Sequence, residues 1–282
     1  MKSAIFCCVM TIITVQLTFS QAMPLAKTID STHNSVVAFQ LIETSGKVFV
    51  STAGVLIHPK IILTAGHVNY NIVKKIIVGL KTQGFVATSY NAYNPDKRYP
   101  VDLLRDIESY PDTADFQKSF SDTTGKIEPT MFIDIGLIFL DHPISNMPIA
   151  KLPEPFLLND LHSFSSLLGV GFGYDKTTDS TFFSSHTHLD GLRRKWIPHK
   201  ITLFNDLWLS AQCDTISNLP FISIGDSGAP LFLQDSIVVG IWSWRGDAVK
   251  PCPYSSWAVR VDNPKVLTWI KATVKSRMGI DL

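Results

Sequence analysis

From Val36 onward, short runs of β-branched and aromatic residues recur between clusters of Gly, Pro, Asn and Asp, and no internal repeat or low-complexity tract interrupts them. That spacing predicts an all-β chain. The expected strands are 36–42, 47–57, 60–64, 75–78, 132–140, 167–171, 229–232, 237–243 and 257–261. Only the C-terminal stretch has a clear helical period. From Pro264 onward, Val266, Leu267, Ile270 and Val274 fall on one face, and Pro is tolerated in a first turn. Two antiparallel barrels closed by a terminal helix are the expected architecture.

The first residues follow a different pattern. Met1-Lys2-Ser3 precedes an apolar run from Ala4 to Phe19, diluted by Thr11, Thr14, Gln16 and Thr18. Ser20 and Ala22 put small side chains three and one positions before a cut at Met23, which is the signal-peptidase pattern. The rival reading is a membrane anchor, but a span needs roughly 20 predominantly apolar residues, and no later segment is long and apolar enough. The expectation is therefore a signal peptide over 1–22, a mature secreted domain over 23–282, and no stable membrane anchor after cleavage. Cys7 and Cys8 leave with the signal. Cys213 and Cys252 remain, and two cysteines in an exported chain suggest one disulfide.

With 282 residues and 45% hydrophobic content, the chain can bury one sizeable core or two small ones. Lys plus Arg number 25 against 24 Asp plus Glu, with no long block of one sign, so neither nucleic acid nor an acidic polymer is an expected partner. His186-Thr187-His188 has no acidic or cysteine cluster of ligand spacing nearby and reads as a solvated loop. No metal and no cofactor are expected. Arg193-Arg194-Lys195 reads as solvated surface.

Three segments carry chemistry. Leu63-Thr64-Ala65-Gly66-His67 puts an imidazole at the end of a β-branched run, and Asp134-Ile135-Gly136-Leu137-Ile138-Phe139-Leu140 puts a carboxylate at the start of an apolar one. Gly225-Asp226-Ser227-Gly228-Ala229-Pro230 sets a hydroxyl in a turn whose glycines can adopt backbone angles a Cβ forbids. Amide hydrolysis needs a nucleophile, a base, a group to orient the base, and donors for an oxyanion. Ser227, His67, Asp134 and the N–H groups of Gly225 and Ser227 can fill those roles in turn.

These segments, in the order His, Asp, Ser, resemble the three signatures of the chymotrypsin/trypsin family of serine proteases. Gly54-Val55-Leu56-Ile57, Gly171-Phe172-Gly173 and Ile241-Trp242-Ser243-Trp244 are similar to further segments of that family. The resemblance implies two six-stranded-type barrels with a boundary near 145–160, protein or peptide substrates, and an acyl-enzyme route. A catalytically silent relative that binds a partner through the same surface is the alternative. It further implies that Ser243 supports Asp134 and that the backbone over 243–245 pairs with bound peptide. By the same resemblance Asp226 receives a newly freed N-terminus, either at Ile29 after a cut by an activating protease near Lys27 or Thr28 or close to the signal cut at Met23, so that the oxyanion loop is ordered. Phe221 would lie at the base of a pocket lined also by Ile222, Trp242, Trp244 and Arg245. That pocket would be apolar and shallow rather than basic-selective, with an acidic preference through Arg245 as the alternative.

The chain also departs from the family pattern. Val68 and Thr52 stand where a cysteine pair is usual, and Ser223 stands where another cysteine is usual, so Cys213 and Cys252 would form a rewired bridge. The stretch between His67 and Asp134 is longer than usual, which implies an insertion between Gly79 and Pro129 that either gates the substrate or is merely tolerated.

Overall fold

The computed structural model describes residues 27–43, 48–69, 82–120, 128–161, 164, 167–173, 191–198, 200–212, 222–223, 225–247 and 254–282. The expected signal peptide, the expected strand 75–78, His186-Thr187-His188, Cys213, Phe221 and Cys252 lie outside the described residues, as does the side chain of Arg245. In chain order the strands are β1 (Thr28–Ile29), β2 (Val36–Glu43), β3 (Val48–His58), β4 (Ile61–Thr64), β5 (Thr82–Ala87), β6 (Arg98–Val101), β7 (Ile107–Ser109), β8 (Gly136–Phe139), β9 (Leu168–Gly171), β10 (Arg194–Trp196), β11 (Ile201–Leu203), β12 (Trp208–Gln212), β13 (Pro230–Leu233), β14 (Ile237–Asp247) and β15 (Tyr254–Arg260). Among the described residues, two α-helices are bounded, α1 (Thr113–Ser119) and α2 (Pro264–Met278).

Two antiparallel sheets hold these strands. One has the order β6-β5-β2-β3-β4-β8-β7, the other β1-β10-β9-β13-β14-β15-β12-β11. β4, β8 and β13 are buried along their whole length, as expected of short apolar runs with both faces covered. Register shifts in β2, β3, β13 and β14 mark bulges. A bulge leaves a residue unpaired and bends its strand, so these positions help curl each sheet. The shift between Trp242 and Trp244 isolates Ser243 from the ladder, with consequences for the site.

The terminal helix forms as its pattern predicts, burying Val266, Leu267, Ile270 and Val274. Asn263 caps it by accepting from the Lys265 N–H at 2.9 Å, Pro264 occupies the first turn, and Gly279 ends it at φ 69°.

Several expectations need correction. The apolar run 132–140 becomes a strand only from Gly136; a short 3-10 turn over Pro129–Met131 precedes it. There the Ile133 N–H goes to the Asp112 side chain at 3.1 Å instead of to a neighbouring strand. A second helix, α1, forms inside the expected insertion. Arg193-Arg194-Lys195 is not solvated surface: Arg193 is 0% and Arg194 8% exposed.

The burial of Arg193 has a specific cause. Its Nε donates to Asp30 Oδ2 at 3.2 Å, one terminal nitrogen to Val36 O at 2.9 Å and the other to Asn34 Oδ1 at 2.8 Å. Asp30, itself 1% exposed, also donates its N–H to Arg193 O at 2.9 Å. Together with the pairing of Thr28 and Ile29 to Lys195 and Arg194, this fixes the 27–36 segment to the second sheet before the chain enters the first. Burial pushes the Asp30 carboxyl up, but hydrogen bonds from His33 and Thr32 outweigh it and hold the group well below the usual carboxylate range.

Removing one member of a buried pair leaves the other charge uncompensated. Asp30→Ala should therefore cost about 3–5 kcal/mol, a fall in Tm of roughly 10 °C, read by thermal unfolding. A depressed folded-state pKa contributes stability that is complete above the unfolded value, about 3.9 for Asp, and is lost as pH falls through the folded one. The stability gap between wild type and Asp30→Asn should thus stay constant from neutral pH down to about pH 4 and narrow only below it.

Candidate active site

Asp134 is fully buried between the two sheets. It lies two residues before β8, while β4 ends at Thr64 and the chain turns into a helical turn over 66–69. That turn is pinned to β7 and β8 by Asn69, whose amide nitrogen donates to Glu108 O at 2.8 Å and Leu137 O at 3.3 Å. Ser109 Oγ donates to Gly66 O at 3.0 Å. The turn therefore presents both polar groups of His67 to one carboxylate: the backbone N–H reaches Asp134 Oδ1 at 2.6 Å and Nδ1 reaches Oδ2 at 2.7 Å.

An ionised carboxylate only accepts, so Nδ1 carries a proton, and in the neutral imidazole Nε2 is then left with its lone pair. Ser227 Oγ stands 3.1 Å from that nitrogen. The second sheet supplies the remaining contact to the acid: Ser243, freed from its ladder by the bulge in β14, donates its hydroxyl to Asp134 Oδ2. The Ser243 carbonyl also lies 3.2 Å from Ser227 Oγ.

The turn bearing Ser227 depends on two glycines at positive φ, Gly225 at 96° and Gly228 at 79°. A Cβ at Gly228 would collide with Thr64 Oγ1 and Ala53 O. Strand β3 grips the same turn, with the Ala53 N–H donating to Ser227 O at 3.0 Å and Thr52 Oγ1 donating to the same oxygen. Among the described residues, the N–H groups of Gly225 and Ser227 meet no acceptor, and both lie next to the hydroxyl in the chain. Such a set can move a proton from an alcohol to an imidazole and hold a developing oxyanion.

Beneath the turn, Asp226 is 0% exposed. Its Oδ1 accepts from the Gly173 N–H at 2.8 Å, and its Oδ2 from the Ser223 N–H at 2.8 Å and Ser223 Oγ at 3.1 Å. The cation against it is the Lys27 ammonium. Ile29, one of the two new N-termini the resemblance implies, is 59% exposed in β1 of the uncut chain.

The residues assigned to a specificity pocket divide. Trp242 is 0% exposed and packs on Trp196, ring centroids 6.5 Å apart, so it offers core packing in place of a pocket wall. Ile222 is also buried, its N–H 3.4 Å from Ser256 Oγ. Trp244 is partly exposed and stacks on Trp257 at 5.6 Å and 9°.

Sequence reasoning missed two contributors. Thr52 was noted only as a missing cysteine. The helix α1 sends Phe116 between His67, at 6.1 Å, and Trp208, at 6.0 Å, while Phe120 meets Trp244 edge-on at 5.3 Å. This makes an aromatic wall, contributed by α1 and the second sheet, on one side of the imidazole. The signal was present in Phe116 and Phe120, four apart in a polar stretch, the spacing of one helical face.

Comparison with known proteins agrees with this architecture. The family model described as Trypsin matches residues 28–270. No curated protein matches the sequence. Similar solved structures include one titled HL collagenase, 17% identical with a TM-score of 0.57, covering 91% of this chain and 99% of that one. The scabies mite inactivated protease paralogue S-I1 is 16% identical with a TM-score of 0.56, covering 89% and 100%. The structure titled GrC is 17% identical with a TM-score of 0.55, covering 88% and 98%. At these identities the likeness carries the fold, and one of the three is described as inactivated.

Proposed function

Because the chain belongs to the trypsin family of serine proteases, we propose that it is an active, secreted serine endopeptidase whose triad is His67, Asp134 and Ser227. One observation carries this reading: His67 lies between a buried carboxylate on Nδ1 and a hydroxyl 3.1 Å from Nε2. An inactivated relative can keep the fold, so the fold alone does not decide activity. The alignment of donor, base and hydroxyl favours the enzyme over a silent binding protein.

In the proposed reaction Ser227 Oγ attacks the scissile carbonyl and its proton passes to His67 Nε2. Asp134 holds the tautomer and stabilises the imidazolium. The carbonyl oxygen becomes an oxyanion held by the Gly225 and Ser227 N–H groups. Collapse breaks the C–N bond, and His67 returns the proton to the leaving amine. Water repeats the sequence on the acyl-enzyme and releases Ser227. The backbone of β14 over 243–245 would receive the substrate as an added strand, beside Trp244.

Specificity follows from chemistry at the pocket base. Phe221 and Ile222 bring no charge, and a substrate cation there would face a desolvation penalty of about several kcal/mol. Cleavage after small or medium apolar residues is therefore proposed.

Two measurements test this reading. The folded wild-type protein should be labelled by a fluorophosphonate probe on Ser227, and Ser227→Ala should abolish labelling; a folded wild type that takes no probe would establish the silent alternative. A peptide-library digest should be dominated by cleavage after Ala, Val or Leu, whereas dominance of Lys or Arg would contradict the apolar pocket.

A further inference from the structure

Asp226 sits between Gly225 and Ser227, the two residues whose N–H groups are proposed to hold the oxyanion, so whatever holds its carboxylate holds those donors. The carboxylate is fully buried, and its neutral partners are the Gly173 N–H and the Ser223 N–H and hydroxyl. Three neutral donors leave a full negative charge without a counter-charge. Among the described residues a single cation reaches it, the Lys27 ammonium, which also donates to Ser223 Oγ at 3.1 Å. The ammonium lies 4.5 Å from the centroid of the Trp196 ring, and the Lys27 side chain is only 9% exposed. An ammonium buried between a carboxylate and an indole face is a built contact rather than a surface pairing of two flexible side chains.

The backbone around Lys27 explains why its side chain arrives there. Thr28 and Ile29 pair with Lys195 and Arg194, and Asp30 is anchored to Arg193 by the buried ion pair. The segment is thus fixed immediately after Lys27, on the strand next to Trp196. We propose, resting on the functional reading above, that Lys27 is the positioning residue for the oxyanion turn. Its side-chain ammonium supplies the charge that holds Asp226, and the protein is competent with Lys27 still joined to the chain through its own peptide bonds. A cut after Lys27 or Thr28 would release that ammonium from the docked strand. Such a cut should lower activity, opposite to the gain expected from the sequence.

The test uses the full chain and a fluorophosphonate probe. Intact mass and N-terminal sequencing of the labelled wild type should show Lys27 retained. Lys27→Met, checked for folding by circular dichroism, should label and turn over peptide at least about 100-fold more slowly, the loss expected when an oxyanion donor is removed. The loss should fall on kcat with KM little changed, because the cleft is untouched. Lys27→Arg, which keeps the charge, should recover much of the rate. Labelled wild type that begins only at Thr28 or later would overturn the proposal, as would a Lys27→Met variant labelled at the wild-type rate; either result leaves the protease reading intact. If Lys27→Met does not fold, the sequence of the labelled wild type decides alone. A folded wild type that no probe labels overturns the protease reading and this proposal with it.

Discussion

A carboxylate with no access to water must find its donors inside the protein, and Asp134 finds them on both sheets. From the first come the His67 N–H and Nδ1; from the second comes the Ser243 hydroxyl. The desolvation penalty for an unpaired charge at this depth would be several kcal/mol, so the two sheets can pack only in a way that delivers all three. That requirement ties together features otherwise unrelated in sequence: the helical turn over 66–69, the late start of β8 and the bulge in β14. It also determines the tautomer of His67, and so which nitrogen faces Ser227.

The same logic recurs at three further buried carboxylates. Asp30 is held by Arg193, Asp226 by Lys27, and Asp262 by Arg260, whose Nε and terminal nitrogen lie 3.0 and 2.8 Å from the acid. In each case backbone N–H groups complete the shell, such as Leu158 on Asp262 at 2.8 Å. Buried pairs of this kind are weak sources of net stability but costly to break. Their value here is positional: each ties down a segment of the chain, and the Lys27–Asp226 pair lies directly under the turn that carries Ser227.

What the sequence made legible was local. The face of α2 could be read because Val266, Leu267, Ile270 and Val274 repeat at helical spacing, and the three chemical segments because each is a contiguous string. The two-sheet architecture followed from strand punctuation. Short strands such as β6, which contains Pro100, and β10, which is built around two basic residues, escaped because they lack the apolar alternation that marks a strand. The supporting groups escaped for a different reason. Thr52 meets Ser227 across 175 positions and Lys27 meets Asp226 across 199. No local pattern encodes such partnerships; they exist only once the sheets are packed. Arg193 was misread for the same reason, because its basic neighbours suggested surface while Asp30, far earlier in the chain, draws it inside.

If His67 and Ser227 act as one catalytic unit, as proposed, a double-mutant cycle on peptide hydrolysis will show it. Each of His67→Ala and Ser227→Ala should lower kcat by about 10⁴–10⁶. The double variant should lose no more than the worse single one, because removing either residue already removes the unit. Losses that multiply across the cycle, or a Ser227→Ala variant that keeps wild-type turnover, would show that the two residues do not form one unit.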